Sequence, residues 1–175
     1  GQTVVPGNVI RFVKLELRDA RNRLVSDNFY WQPATNHPDD FTGVNQLPRV
    51  TLDVTATRRE KNNHCFLKVT VYNPSRSVAL LAHLQLRRAT SGRRVLPVFY
   101  SDNYISLLPG ETRFLTIDAA QSDLEEEAPL LAVDGWNVTA KSVAASGSSV
   151  AVIPNQAAMA IGADAPKLDL SQINK

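Results

Sequence analysis

The sequence predicts an all-β fold, an immunoglobulin-like antiparallel β-sandwich of about seven to nine strands. Three observations carry that expectation. Apolar and polar residues alternate with period two in segment after segment, as in strands with one face buried and one in water. Asn-Pro, Ser-Gly, Asp-Asn and Pro-Gly pairs punctuate those segments at short intervals. No long amphipathic helical pattern competes with them.

In chain order, Val13, Leu15 and Leu17 alternate with Lys14, Glu16 and Arg18, which places the apolar set on the buried face of a first strand. Asp19 to Asn22 supplies turn chemistry, and an extended run from Arg23 to Trp31 completes a hairpin. Val50, Leu52, Val54 and Ala56 mark the next strand, and Leu67, Val69 and Val71 the one after. Leu80, Ala82, Leu84 and Leu86 alternate with Leu81, His83, Gln85 and Arg87. Val95 to Phe99 is a short strand whose Pro97 requires an edge or a bulge. Thr112 to Asp118 follows the Pro109-Gly110 turn, and Trp136, Val138 and Ala140 alternate near the end. Ser122 to Ala128 reads as one helical turn, with Ser122 as cap and Glu125 three residues on. The connection from Gln32 to Leu47 is long for a compact domain, so it is either functional or pinned against a neighbour. The sandwich is expected over 8–143. A tail over 144–175 contributes an edge strand at Val150 to Ile153 and is weakly ordered beyond Pro154.

Composition excludes several function classes. With 19 Lys and Arg against 17 Asp and Glu, a net charge of +2 gives no dense basic face for nucleic acid. No apolar run approaches the ~20 residues that span a bilayer, so no membrane partner is expected. Residues 1–10 show no secretion signal. The single cysteine, Cys65, forms no intrachain disulfide and excludes zinc sites built from several cysteines.

No catalytic constellation stands out. Glu125, Glu126 and Glu127 are consecutive and cannot converge as a positioned acid and base, so they read as a solvated face. Asp39-Asp40 lacks the spacing of a calcium loop. His37, His64 and His83 lie too far apart in sequence for a metal motif, and Gly-rich phosphate loops are missing, so neither metal nor cofactor is expected. Cys65 begins a strand as a small hydrophobe. Asn137-Val-Thr139 is a formal glycosylation acceptor, read here as a chance match within a strand. The aromatic residues are more informative. Phe29-Tyr30-Trp31 and the segment Tyr100-Ser-Asp-Asn-Tyr104 combine rings with Asp and Asn, the equipment that stacks on sugar faces and bonds hydroxyls. The same residues equally serve a sandwich core (Trp31, Trp136) or a self-capped turn (Asp102, Asn103).

Three sets of motifs, in order, resemble one family. Phe12-Val-Lys-Leu-Glu-Leu-Arg-Asp19 with Leu24-Val-Ser-Asp-Asn-Phe-Tyr-Trp31 is similar to the opening of the last domain of glycoside hydrolase family 2 enzymes, in the branch of exo-β-D-glucosaminidases and β-mannosidases. Val71-Tyr-Asn-Pro74 resembles a strand end of that domain. Pro97-Val-Phe-Tyr-Ser-Asp-Asn-Tyr104, Leu108-Pro-Gly-Glu-Thr112 and Asp134-Gly-Trp-Asn137 resemble its close. The match runs over about 9–143 and is nearest to the glucosaminidase type, which shares the long loop before Leu47-Pro-Arg-Val50. It departs at Tyr100, where Trp is about as frequent, and ends before the tail.

The resemblance implies a non-catalytic accessory domain whose partners are the other domains of a larger parent chain, with carbohydrate as a further partner. The paired catalytic glutamates of the family lie in a separate barrel, and the parent is expected to be periplasmic or secreted. The contact candidates, toward sugar or neighbouring domain, are Tyr30, Trp31, Tyr100, Asp102, Asn103 and Tyr104. The alternatives are a free carbohydrate-binding module and a sugar-independent adhesion domain.

Overall fold

A computed structural model describes residues 2–4, 10–33, 39–145, 147 and 152–153. Among them the chain forms twelve strands: β1 (Gln2–Val4), β2 (Arg11–Arg18), β3 (Leu24–Gln32), β4 (Asp53–Lys61), β5 (His64–Tyr72), β6 (Ala79–Arg88), β7 (Phe99–Tyr100), β8 (Ile105–Leu107), β9 (Thr112–Ala120), β10 (Pro129–Asp134), β11 (Lys141–Ala144) and β12 (Val152–Ile153). All strand pairs are antiparallel. A five-stranded sheet, β12-β11-β10-β6-β8, faces a four-stranded sheet, β4-β5-β9-β7, and a three-stranded ribbon, β1-β2-β3, packs beside them. The expected immunoglobulin-like sandwich is present. Its strand count exceeds the expected seven to nine because several strands are only two or three residues long, below what periodicity can register.

The inward residues of the two large sheets make the main core. Leu67, Val69 and Val71 of β5 and Leu115 and Ile117 of β9 meet Leu84, Leu86, Leu131 and Val133 from the opposite sheet. Complete burial of each such side chain contributes about 1.5–3 kcal/mol. Cys65 is fully buried among them, as a small hydrophobe would be, and burial pushes its thiol pKa up.

A second core lies between the ribbon and the sandwich, and a bulge in β6 creates it. The pairing of β6 with β8 slips between Ala79 and Ala82, and Leu81 takes a φ of 52°. Ala79, Ala82, Leu84 and Leu86 therefore point into the main core, while Leu80 and Leu81 both join Phe12, Val44, Leu47, Trp31 and Trp136 on the other side. A regular strand would have turned one of the two leucines back.

The structure revises several expectations. First, the hairpin β2–β3 has its faces reversed: Phe12 and Lys14 face the sandwich, while Leu15 and Leu17 are 56% and 62% exposed. Second, Trp136 to Ala140 is not a strand. Trp136 belongs to the second core and Val138 to the main one, so the alternation marks a crossing between cores, with one isolated β-bridge from Val138 to Val50. Third, two strands without a counterpart among the expected elements, β10 and β11, flank it, because neither alternates cleanly. Central β10 lies between β6 and β11, and Leu131, Ala132 and Val133 are all buried. Fourth, the helical turn is a 3₁₀ segment, Gln121–Leu124, with Ala120 rather than Ser122 at its start and no side-chain cap. Val95 to Phe99 also yields only the short β7, with Val95 in the core and bonded to Leu86.

Gly135 shows how tightly the crossing is seated. A Cβ there would lie 2.8 Å from the Leu81 carbonyl oxygen, 3.0 Å from that of Leu80 and 3.0 Å from Val138 Cγ2. Two of these neighbours are backbone and cannot swing away. Gly135→Ala is expected to destabilise by roughly 1–3 kcal/mol, read as a lower urea midpoint at unchanged slope. Gly147→Ala, whose added methyl meets nothing within 4 Å, is expected to leave the midpoint in place.

Candidate functional site

The ribbon does not lie flush on the sandwich. Between β2–β3 and the 101–106 segment an open cleft of about 270 Å³ remains. Trp31, Asp102 and Tyr104, three of the six contact candidates, line it together with Lys14, Asp27 and Arg113.

Side chains that replace backbone pairing position the loop. The chain passes from β7, in the four-stranded sheet, to β8, in the five-stranded one, and leaves Leu84 and Leu86 of β6 without strand partners on that side. The Asn103 side-chain oxygen accepts from Leu84 N at 2.8 Å and its amide nitrogen donates to Leu84 O at 3.0 Å. The Tyr100 hydroxyl accepts from Leu86 N at 2.9 Å, and burial pushes its pKa up. Asn103 and Tyr100 thus complete the β6 edge, and neither lines the cleft. Asp102 accepts from Asn103 N and leans toward Arg113 at 3.5 Å. Tyr104, exposed and at a φ of 54°, stacks on His83 with centroids 4.4 Å apart. His83 in turn bonds Asp134 at 3.0 Å.

Trp31 is half-buried and meets Phe12 edge-on. Tyr30, on the other face of β3 opposite Val13, is exposed and away from the cleft. Two of the three consecutive aromatics thus face inward and one faces outward.

The cleft floor is an ion-pair network that sequence reasoning missed. The Lys14 side chain is only 5% exposed; its ammonium contacts Glu111 and Asp27, the latter at 3.2 Å. Arg113 bonds the same Asp27 at 2.8 Å. Burial opposes the charge on Asp27, but the hydrogen bonds and charges of Arg113 and Lys14 outweigh it and hold the carboxyl below the usual carboxylate range. Glu111 lies 97 residues from Lys14 and Arg113 lies 86 from Asp27, so no local spacing reveals the network.

The long connection is pinned as well. Its 3₁₀ segment Thr42–Gln46 places Val44 in the second core, where the Val44 carbonyl accepts from Trp136 Nε1 at 3.2 Å. Residues 34–38, including His37, lie outside the described residues. Asn137 is 3% exposed; its side chain accepts from Leu80 N and donates to Pro48 O and Val78 O. The sequon asparagine is thus a structural tie between the loop and the bulge, outside any strand. Within the acidic run, Glu125 pairs with Arg88 and Glu127 accepts from the Thr90 and Ser91 amides. Among the described residues no group of His, Cys, Asp and Glu could hold a metal ion, and no helix is long and apolar enough to cross a membrane.

Comparison with known proteins agrees with this fold. The family model for the exo-beta-D-glucosaminidase Ig-fold domain matches residues 28–138. An exo-beta-D-glucosaminidase of Streptomyces avermitilis is 32% identical over 153 residues, covering 76% of this chain and 17% of that protein. One from Arthroderma benhamiae is 29% identical, covering 77% and 16%. The crystal structure of the Amycolatopsis orientalis exo-chitosanase CsxA superposes with a TM-score of 0.70 at 28% identity, over 78% of this chain and 18% of that one. The chain thus spans about a sixth of the length of these relatives.

Two outcomes test the site. Because the folded pKa of Asp27 is depressed, its contribution to stability is complete above the unfolded value near ~4 and is lost as pH falls through the folded value. Asp27→Asn is therefore expected to lower stability at neutral pH by about 1–3 kcal/mol, and this deficit is expected to shrink at about pH 3, read by denaturant titration at both pH values. Secretion from a glycosylating host is expected to add no glycan mass at Asn137, checked by intact-mass spectrometry.

Proposed function

The chain belongs to the exo-beta-D-glucosaminidase Ig-fold domain family, and from that premise we propose that it is the non-catalytic accessory domain of a larger family 2 glycoside hydrolase of the exo-β-D-glucosaminidase and β-mannosidase branch. In the parent it packs against the catalytic barrel and borders the sugar pocket. The barrel's two carboxylates remove a terminal β-linked glucosamine or mannose with retention. The observation that carries this reading is the disproportion in coverage: three quarters of this chain matches a sixth of each relative. The cleft chemistry supports it, since Asp27, Asp102 and Glu111 all sit against Lys14 or Arg113 and none is poised as a free acid or nucleophile.

Within this reading the cleft rim formed by Trp31, Asp102 and Tyr104 is the contact surface. Tyr100 and Asn103 hold that rim in place, and Tyr30 contributes from the outward face of the hairpin.

The coding DNA upstream of Gly1 is expected to continue the reading frame into a barrel with paired glutamates; a stop codon or a signal peptide there overturns the proposal. Titration calorimetry of the 175-residue chain with glucosamine oligosaccharides is expected to show no heat at millimolar sugar. Binding that Tyr104→Ala abolishes would instead identify a free carbohydrate-binding module.

A further inference from the structure

A β-hairpin that turns Leu15 and Leu17 outward while burying Lys14 runs against the usual partition of side chains. On the inward face Lys14 is tied to Asp27 and Glu111. The outward face carries Leu15, Leu17 and Tyr30, at 56%, 62% and 47% exposure, and no described residue covers it.

The edge of the same ribbon is incomplete. On its β1 side, β2 is paired only from Arg11 to Val13 among the described residues, whereas β3 pairs with it from Arg11 to Arg18. The β1 register runs Val4 to Arg11, Thr3 to Phe12 and Gln2 to Val13. A strand that carried this register on ahead of Gln2 would run along Lys14 to Arg18, beside the two exposed leucines. An edge strand with unused backbone donors and acceptors is a template for strand addition.

We propose that the stretch of parent chain immediately upstream of Gly1 extends β1 along the Lys14–Arg18 edge, and that the domain it leaves covers the Leu15–Leu17–Tyr30 face. The ribbon is thus the docking element of this domain. This rests on the accessory-domain reading, since the occupant is the remainder of the longer chain, and the relatives are about six times as long as the matched part.

Amide hydrogen exchange compares the 175-residue chain with the parent protein. In the parent, the alternate amides of Lys14 to Arg18 that point away from β3 are expected to gain at least about tenfold protection, while those already bonded to β3 change little. Equal exchange in both proteins overturns the proposal. The double variant Leu15→Ser/Leu17→Ser is expected to leave the melting temperature of the 175-residue chain unchanged, because both side chains are exposed there, and to lower it in the parent. An unchanged parent melt overturns the docking face. An upstream reading frame without a barrel overturns instead the functional reading on which it rests, so the two failures are told apart.

Discussion

Everything outside the plain sandwich hangs on the bulge in β6. One extra residue at Leu80–Leu81 gives the strand two consecutive leucines on its outer side, and those leucines seed a second core. The carbonyls the bulge exposes are met at once. Trp136 N donates to Leu80 O at 3.1 Å, and Gly135 passes so near both carbonyls that no side chain fits. Asn137 then bonds Leu80 N, Val78 O and Pro48 O, and Trp136 reaches the Val44 carbonyl. Four consecutive residues, Asp134 to Asn137, thus join β10, the bulge, the long connection and, through the pairing of Asp134 with His83, the base under Tyr104. Removing the bulge would return one leucine to the main core and leave the ribbon without its apolar seat.

Asparagine side chains recur at three places where backbone does not pair with backbone. Asn73 is completely buried at the end of β5; its amide donates to Ser77 O, Leu107 O and Leu108 O, and its oxygen accepts from Ser75. Asn103 does the same for Leu84, and Asn137 for Leu80. An amide offers a donor and an acceptor in the geometry of a peptide group, so it stands in for a missing strand neighbour. Each tie matters more than its net ~1 kcal/mol, because losing it strands buried polar groups that water does not reach.

The cleft results from joining the ribbon to the sandwich by charge at one end and by aromatic packing at the other. Phe12, Phe29 and Trp31 close the apolar end; Lys14, Asp27, Glu111 and Arg113 hold the other. The ion pairs are largely shielded and share partners, so the two walls keep a fixed separation while the gap between them stays open. A rigid rim bearing Tyr104 and Trp31 suits a surface that meets something outside this chain.

The all-β class and most of the longer strands are legible in the chain alone, because period-two alternation is a property of consecutive residues and survives without any knowledge of partners. The family is legible as well, through short motifs such as Asp134-Gly-Trp-Asn137, whose residue types are constrained by close approach and buried hydrogen bonds within a few positions. Packing across the molecule, in contrast, sets which face of the hairpin is inside. Val13, Leu15 and Leu17 alternate perfectly with charges, yet the charged face is the one that finds partners, at Glu111 just before β9 and at Arg113 within it, 97 residues from Lys14 and 86 from Asp27. Packing likewise makes Tyr100 and Asn103 complete a strand edge while Asp102 and Tyr104, their neighbours in sequence, open onto the cleft. The division has one physical cause: alternation records that two faces differ, and only the packing of distant elements settles what each face meets.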